Sequence, residues 1–392
     1  MKLYHQCGYN YIWNIDSFVD DKAGDGLIIS PVNVSKEKLI SLPQEIKSQS
    51  FFDPQFYIMD DNKGELGTFD FFPGNIHEGF NTEDLKKHSR ELAEKCISFQ
   101  IENGFNYIVI PARHYEPWPT GYYEEFTDLI ITPFLDFSTE KDIKNKLLLT
   151  VIVKQYQLMD EEDRNYLLSW ITQFQEIGGV YLIFENNFTS KQIKDTGYLF
   201  NALLFIDALK ENNLEVHIGY TNTEAILFSV ANPDSVTIGA YANLRNFSID
   251  RFITLEERPI MQQPRPRIYS GKLYQWIDYA YIEALQMLYK NMDLIFEDTK
   301  YKPSFSEPSD SWHFTRPELC KHYFMVFSQQ IKSLPDNIED RTVGLVDNFT
   351  NALEIFDKIK NCGIPLDSDS DGSHLHFWIS VINMYKEYIK GK

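Results

Sequence analysis

Short runs of β-branched and aliphatic residues alternate along this chain with longer segments of helical period. Residues 27–30, Leu-Ile-Ile-Ser, read as a strand that leads into a helix opened by Ser35. Residues 51–58 supply a second strand, and a helix from about Thr82 stops at Gly104 before a third strand at 107–110. A fourth covers 147–153, after a segment broken by Pro133. From Asp160 onward, Leu167, Trp170, Ile171 and Phe174 recur at i, i+3, i+4 and i+7, the apolar stripe of an amphipathic helix, and Gly178-Gly179 ends it. Residues 180–184, 216–218 and 236–238 continue the strand series, and 267–269 closes it before a helical run over 272–292.

Eight strand-and-helix units in this order predict an α/β fold, a (β/α)8 TIM-like barrel over residues 1–299. The competing architecture is a doubly wound open sheet, but no GxGxxG or GxxxxGK[ST] turn follows the first strand, where nucleotide binding by such a sheet needs it. Beyond residue 300 a stretch rich in proline and serine gives way to three helical segments at 316–334, 341–360 and 373–389. These predict a linker and a C-terminal helical extension over 300–392, packed on the barrel because so short a segment makes only a small core of its own.

Composition sharpens this picture. With 43% hydrophobic and 15% aromatic residues the chain is expected to be folded, and 57 acidic against 37 basic side chains leave a charge of −20. No apolar h-region opens the sequence, and no apolar run approaches the roughly 18 residues of a membrane helix, so a cytoplasmic protein without a membrane partner is expected. Cys7, Cys96, Cys320 and Cys362 are far apart, without a CxxC pair, and read as reduced thiols.

In a barrel the reacting groups sit where strands run into the following loops. Those positions carry Asp53, Gln55 and Tyr57; Arg113, His114 and Glu116; Lys154; Glu185; Tyr220 and Asn222; Arg245; and Lys272. Asp53, Gln55 and Tyr57 alternate and would share one side of the second strand. Asp53 reads either as a local cap before Pro54 or as a site carboxylate. Glu185 ends an aliphatic strand, and with Asp53 or Glu116 it would form the acid and base pair of glycosidic cleavage; alternatively it pairs with Lys154. Five of the ten arginines, Arg245, Arg251, Arg258, Arg265 and Arg267, fall within 23 residues. Residues 240–275 therefore carry +3 in a chain of −20, which suits a phosphate site near the last two strands or pairing with surrounding acids. Arg113, Arg245 and Lys272 are the expected anion ligands, with Gln55, Tyr57, Tyr220 and Asn222 lining the site.

Two metal patterns are weak. Asp367, Asp369, Asp371 and Gly372 open like a calcium loop, but Trp378 stands where its bidentate Glu belongs. Cys320, His322, Cys362, His374 and His376 follow no zinc spacing. No metal or cofactor is assigned.

Asp53-Pro54-Gln55-Phe56-Tyr57 early, Ile238-Gly239-Ala240-Tyr241 late, and Cys and His residues near the end together resemble tRNA-guanine transglycosylase-like barrels at the level of fold. That resemblance implies base exchange at an N-glycosidic bond, an aspartate nucleophile and a structural zinc. The chain lacks the family's Asp-Ser-Gly-Gly-Phe-Gln run and its CxCxxC cluster, so neither nucleophile nor zinc site carries over to particular residues. The expected function is a barrel enzyme acting on a small glycosidic or phosphorylated substrate, a hydrolase or transferase, and extended nucleic acid is not the expected partner of so acidic a chain. The alternative is a catalytically inactive barrel that serves as a binding or scaffold subunit, meeting a protein partner through its C-terminal helices.

Overall fold

The ring of strands starts earlier than the hydrophobic pattern predicts. In the computed structural model, which describes all residues except 117, 189, 255–263, 304, 306 and 308–310, the first strand is β1 (Lys2–Gln6). It is followed by β2 (Gly26–Ile29), β3 (Phe51–Phe52), β4 (Tyr107–Ile110), β5 (Lys146–Lys154), β6 (Ile177–Glu185), β7 (Glu215–Gly219) and β8 (Ser235–Gly239). All eight pair in parallel in the order β3-β2-β1-β8-β7-β6-β5-β4. The two ends of that order, β3 and β4, lie against each other, so the sheet forms a nearly closed (β/α)8 barrel.

Side chains fill the interior. Phe51 meets Tyr4 at 5.1 Å, Tyr181 at 5.5 Å, His217 at 5.7 Å and Tyr107 at 6.0 Å between ring centroids, joining five strands in one aromatic layer and bridging the open seam. Gly219 is required here: a Cβ at that position would come within 2.6 Å of the Tyr181 ring. The layer fills the barrel interior, and in such barrels the chemistry sits at the C-terminal mouth.

Three expectations need correction. The eighth strand place belongs to β1, which lies between β8 and β2. Residues 267–269 form part of β9 (Arg267–Ser270), which pairs antiparallel with β10 (Gln275–Asp278) in a separate hairpin outside the ring. The helical run expected over 272–292 therefore begins as a strand, because the chain reverses at Gly271 to Tyr274, with Tyr274 at φ +52°, and only afterwards turns helical. The strand expected over 51–58 ends after Phe52. Pro54 offers no N–H to a ladder and Gln55 is left-handed at φ +57°, so Asp53, Gln55 and Tyr57 do not share a strand face.

The C-terminal helices Pro317–Ser333, Ile338–Asn361 and His374–Gly391 fall within a few residues of their predicted positions. The first packs on β9 and β1, and the last on the Thr196–Glu211 helix of the barrel wall. Among the described residues no helix is long and apolar enough to cross a membrane.

Candidate functional site

Three groups of polar side chains occupy the C-terminal mouth, and each follows from how a strand ends. The first is closed. Asp53 has no solvent exposure; its carboxylate accepts from Tyr57 Oη at 2.9 Å and from the Gln55 backbone N–H at 3.1 Å. The left-handed turn at Gln55 folds its amide back, where Nε2 donates to Ser30 Oγ at 2.7 Å and Oε1 accepts from the Val32 N–H at 3.1 Å. Phe247 and Phe252 roof Tyr57 at 5.2 and 4.8 Å. Burial pushes the Asp53 carboxyl up to about 7, against the opposing pull of Tyr57, Gln55 and Arg251. The local-cap reading of Asp53 and the site reading meet here: the turn after β3 converges at the mouth, but aromatic rings cover it.

In the second group an ammonium sits among three would-be ligands. Lys154, which ends β5, is buried, with Nζ 2.7 Å from Glu185 Oε2, 2.6 Å from Glu116 Oε2 and 2.7 Å from His114 Nε2. His114 Nε2 is itself 2.9 Å from Glu185 Oε1. Burial acts to raise the Glu185 pKa, yet hydrogen bonds and charge from His114 and Lys154 more than reverse it, so its carboxyl is held below the usual range. The ion-pair alternative for Glu185 is thus what the geometry contains. The ligand atoms of His114, Glu116 and Glu185 lie within 4.8 Å of one another, a spacing suited to a metal ion, but the Lys154 ammonium already supplies the positive charge among them.

The third group surrounds an open cavity of about 820 Å³ beyond the ends of β6, β7 and β8. This is the size range of small-molecule sites. Tyr220 and Asn222, expected at the site, line it, as do Arg245, Arg265 and Arg267. The Arg245 guanidinium lies over the Trp276 ring at 4.0 Å, with Tyr323 at 5.6 Å, and its enclosed Nε and Nη1 have no hydrogen-bond partner among the described residues. The hairpin β9–β10 delivers Trp276, whose Nε1 donates to Asn222 Oδ1 at 3.2 Å. Glu224, buried in the cavity wall, accepts from the Asn222 N–H at 2.8 Å. Burial drives its carboxyl up to about 7, despite that hydrogen bond and the nearby Arg245 charge. Of the four cations lining the cavity, Arg265 meets Asp278 and Arg267 meets Asp369, each at 3.5 Å, while Arg245 and Lys191 have no carboxylate partner among the described residues.

Other expected residues lie elsewhere. Arg113 donates to Thr82 Oγ1 at 2.8 Å and stacks over Tyr115 at 4.6 Å, away from the cavity lining. Lys272 is not among the residues lining the cavity: it sits exposed at the hairpin turn, bonding the Asp293 carbonyl, because β9 is not a barrel strand. Asp53, Glu185 and Glu116 are not among the residues lining the cavity. Arg258 lies outside the described residues.

The zinc and calcium patterns do not converge. Cys320 Sγ donates to the Ala240 carbonyl at 3.4 Å, His322 bridges Thr299 and the Tyr269 carbonyl, His374 bonds the Tyr274 carbonyl, and Cys362 is exposed on its own. Asp367 and Asp371 accept from the backbone N–H groups two residues on, and Asp369 pairs with Arg267. The residues present do not fit a structural zinc.

Glu224, Lys191 and Trp276 escaped the sequence reading. Glu224 was legible in principle, since it stands two residues after Asn222 in the loop that follows β7. Trp276 was masked by the helix expected there. Comparison with known proteins finds no family model, curated protein or solved structure that matches this chain.

Proposed function

We propose that this protein is a (β/α)8-barrel enzyme acting on a glycosidic or phosphorylated substrate bound in the cavity beyond β6 to β8. The observation that carries the reading is Arg245, a guanidinium in the cavity lining that stacks on Trp276 and has no carboxylate partner among the described residues. A guanidinium without a counter-ion on a cavity wall is completed by an anionic ligand, because its planar donors match the oxygens of a carboxylate or phosphate. Glu224 faces the same cavity with a carboxyl that titrates near neutrality, the property wanted in a group that gives and takes a proton. Asn222 and Tyr220 orient the substrate. Exchange at an N-glycosidic bond falls within this class, with no nucleophile assigned.

The test is release of nitrophenolate from 4-nitrophenyl phosphate and a panel of 4-nitrophenyl glycosides. Glu224→Gln should lower kcat by about 10²–10⁴-fold and abolish the limb of the pH profile near 7, since proton transfer of this kind supplies that much. Arg245→Met should act mainly on KM, by about 100-fold, the effect of losing a charged hydrogen-bonding anchor. Turnover left unchanged by both substitutions would refute the reading.

A second reading is favoured by one observation: Glu185 is bound to Lys154 and Asp53 is enclosed, so the strand-end carboxylates expected as an acid and base pair are not free. In that case the barrel binds an anionic ligand without turning it over, and wild-type protein should retain the ligand unchanged.

A further inference from the structure

Resting on the cavity reading above, we infer that its ligand is a phosphate monoester dianion, with phosphoryl oxygens bridging Arg245 and Lys191 and a sugar-sized body directed toward Tyr241 and Phe314. Charge bookkeeping leads there first. Arg265 and Arg267 each meet a carboxylate at 3.5 Å, which leaves Arg245 and Lys191 without an ion-pair partner among the described residues, with Glu224, beyond ion-pair distance, as the further carboxyl of the lining. A monoanion such as a carboxylate would satisfy one of them; a phosphate monoester, carrying ~2 negative charges at neutral pH, satisfies both.

The second argument is crowding of like charge. Burial lowers the Lys191 pKa, and the Arg267 and Arg245 charges add to this against the opposing pull of Asp369, so positive charge is crowded where Lys191 and Arg245 share the cavity wall. Stacking on Trp276 at 4.0 Å, with the Tyr323 ring at 5.6 Å, favours the present position of the Arg245 guanidinium at the wall. The third argument is space. A cavity of about 820 Å³ far exceeds a bare phosphate, and its wall carries Tyr241 and Phe314, rings 6.3 Å apart, as apolar surface for the rest of the ligand.

Calorimetric titration at pH 7.5 with ribose 5-phosphate, adenosine 5′-monophosphate, glucuronate and inorganic phosphate tests this on wild type, Lys191→Met and Arg245→Met, each checked for an unchanged melting profile. Ribose 5-phosphate should bind about tenfold or more tightly than glucuronate, the worth of one further charge-assisted contact. Lys191→Met should cost the phosphate esters about tenfold and glucuronate less than about threefold, because only the dianion reaches the second cation. Inorganic phosphate should bind more weakly than either ester. Ribose 5-phosphate should bind at least as tightly as the adenosine ester, and a preference for the adenosine ester would overturn the sugar-sized body. Glucuronate binding as tightly as ribose 5-phosphate, with Lys191→Met affecting both equally, would overturn the dianion while leaving Arg245 as an anion anchor. Failure of every anion to bind would overturn the anchor as well.

Discussion

Replacing Lys154 by Met should destabilise the protein by about 3–5 kcal/mol at pH 7, the cost of removing one partner from a buried ion pair. The side chains of Lys154 and Glu185 retain only 5% and 14% of their exposure, so Glu185 would be left charged beside His114 with its counter-ion gone. Glu116, at 71% exposure, contributes little to this figure, because water screens it. The double substitution Lys154→Met with Glu185→Gln should recover most of the loss, since no uncompensated charge remains. A further outcome separates the ammonium's role from simple packing. With Lys154 removed, His114, Glu116 and Glu185 keep donor atoms within 4.8 Å of one another, so zinc should raise the melting temperature of Lys154→Met and leave the wild type unmoved. Denaturant unfolding and thermal melts with and without zinc read both effects; a neutral Lys154→Met would contradict the placement of the ammonium.

Asp53→Asn should make the protein more stable at neutral and alkaline pH, by about 2–4 kcal/mol at pH 8 and by almost nothing at pH 4. The sign follows from proton counting. The Asp53 carboxyl titrates at about 7 in the fold, chiefly because burial disfavours its charge, and near 3.8 when exposed. Below about pH 4 both folded and unfolded chains hold the proton, so the group is neutral in each. Between about 4 and about 7 the unfolded chain has released it and the folded chain has not, and stability falls as pH rises. Above about 7 the full cost is present. An amide keeps an acceptor for the Gln55 N–H and offers its own N–H₂ to Tyr57 Oη, so the hydrogen-bonded turn survives while the charge does not. Unfolding free energies of wild type and variant across pH 4–8 should converge at the acid end; parallel curves would show that burial does not perturb Asp53 as described.

The barrel was legible because parallel strands buried on both faces leave continuous aliphatic runs such as Leu147 to Val153, which stand out from helical period. β1 did not stand out for the opposite reason. Its Tyr4, His5 and Gln6 are polar or mixed in character, yet all are buried, with His5 bonded to the Ala23 carbonyl and Gln6 receiving the Tyr181 hydroxyl at 3.1 Å. A polar residue with an interior partner leaves no hydropathy signal. The hairpin was hidden likewise: its turn places Tyr274, not Asn or Gly, in the left-handed region, and its strands are short.

At the site, Arg245 was visible because arginine is scarce and clustered here. Its fellow Lys272 shared the segment but not the location, since sequence proximity does not show which side of a hairpin a residue faces. Asp53 and Glu185 were found as strand-end carboxylates, and Lys154 as the alternative partner of Glu185, whereas Phe247 and Phe252, which roof Tyr57 over Asp53, are distant in sequence and left no signal. Glu224 is the converse case, an ordinary glutamate whose perturbation arises only from burial beside Arg245.

The central claim is that the cavity beyond β6 to β8 is an anion site anchored by Arg245. Its most direct measurement is an anomalous-scattering map from crystals soaked in tungstate, a tetrahedral dianion of phosphate-like shape. The account predicts a peak within hydrogen-bonding reach of the Arg245 guanidinium and of Lys191 Nζ, absent from Arg245→Met crystals. A cavity without a peak, or a peak that survives Arg245→Met unchanged, would contradict it.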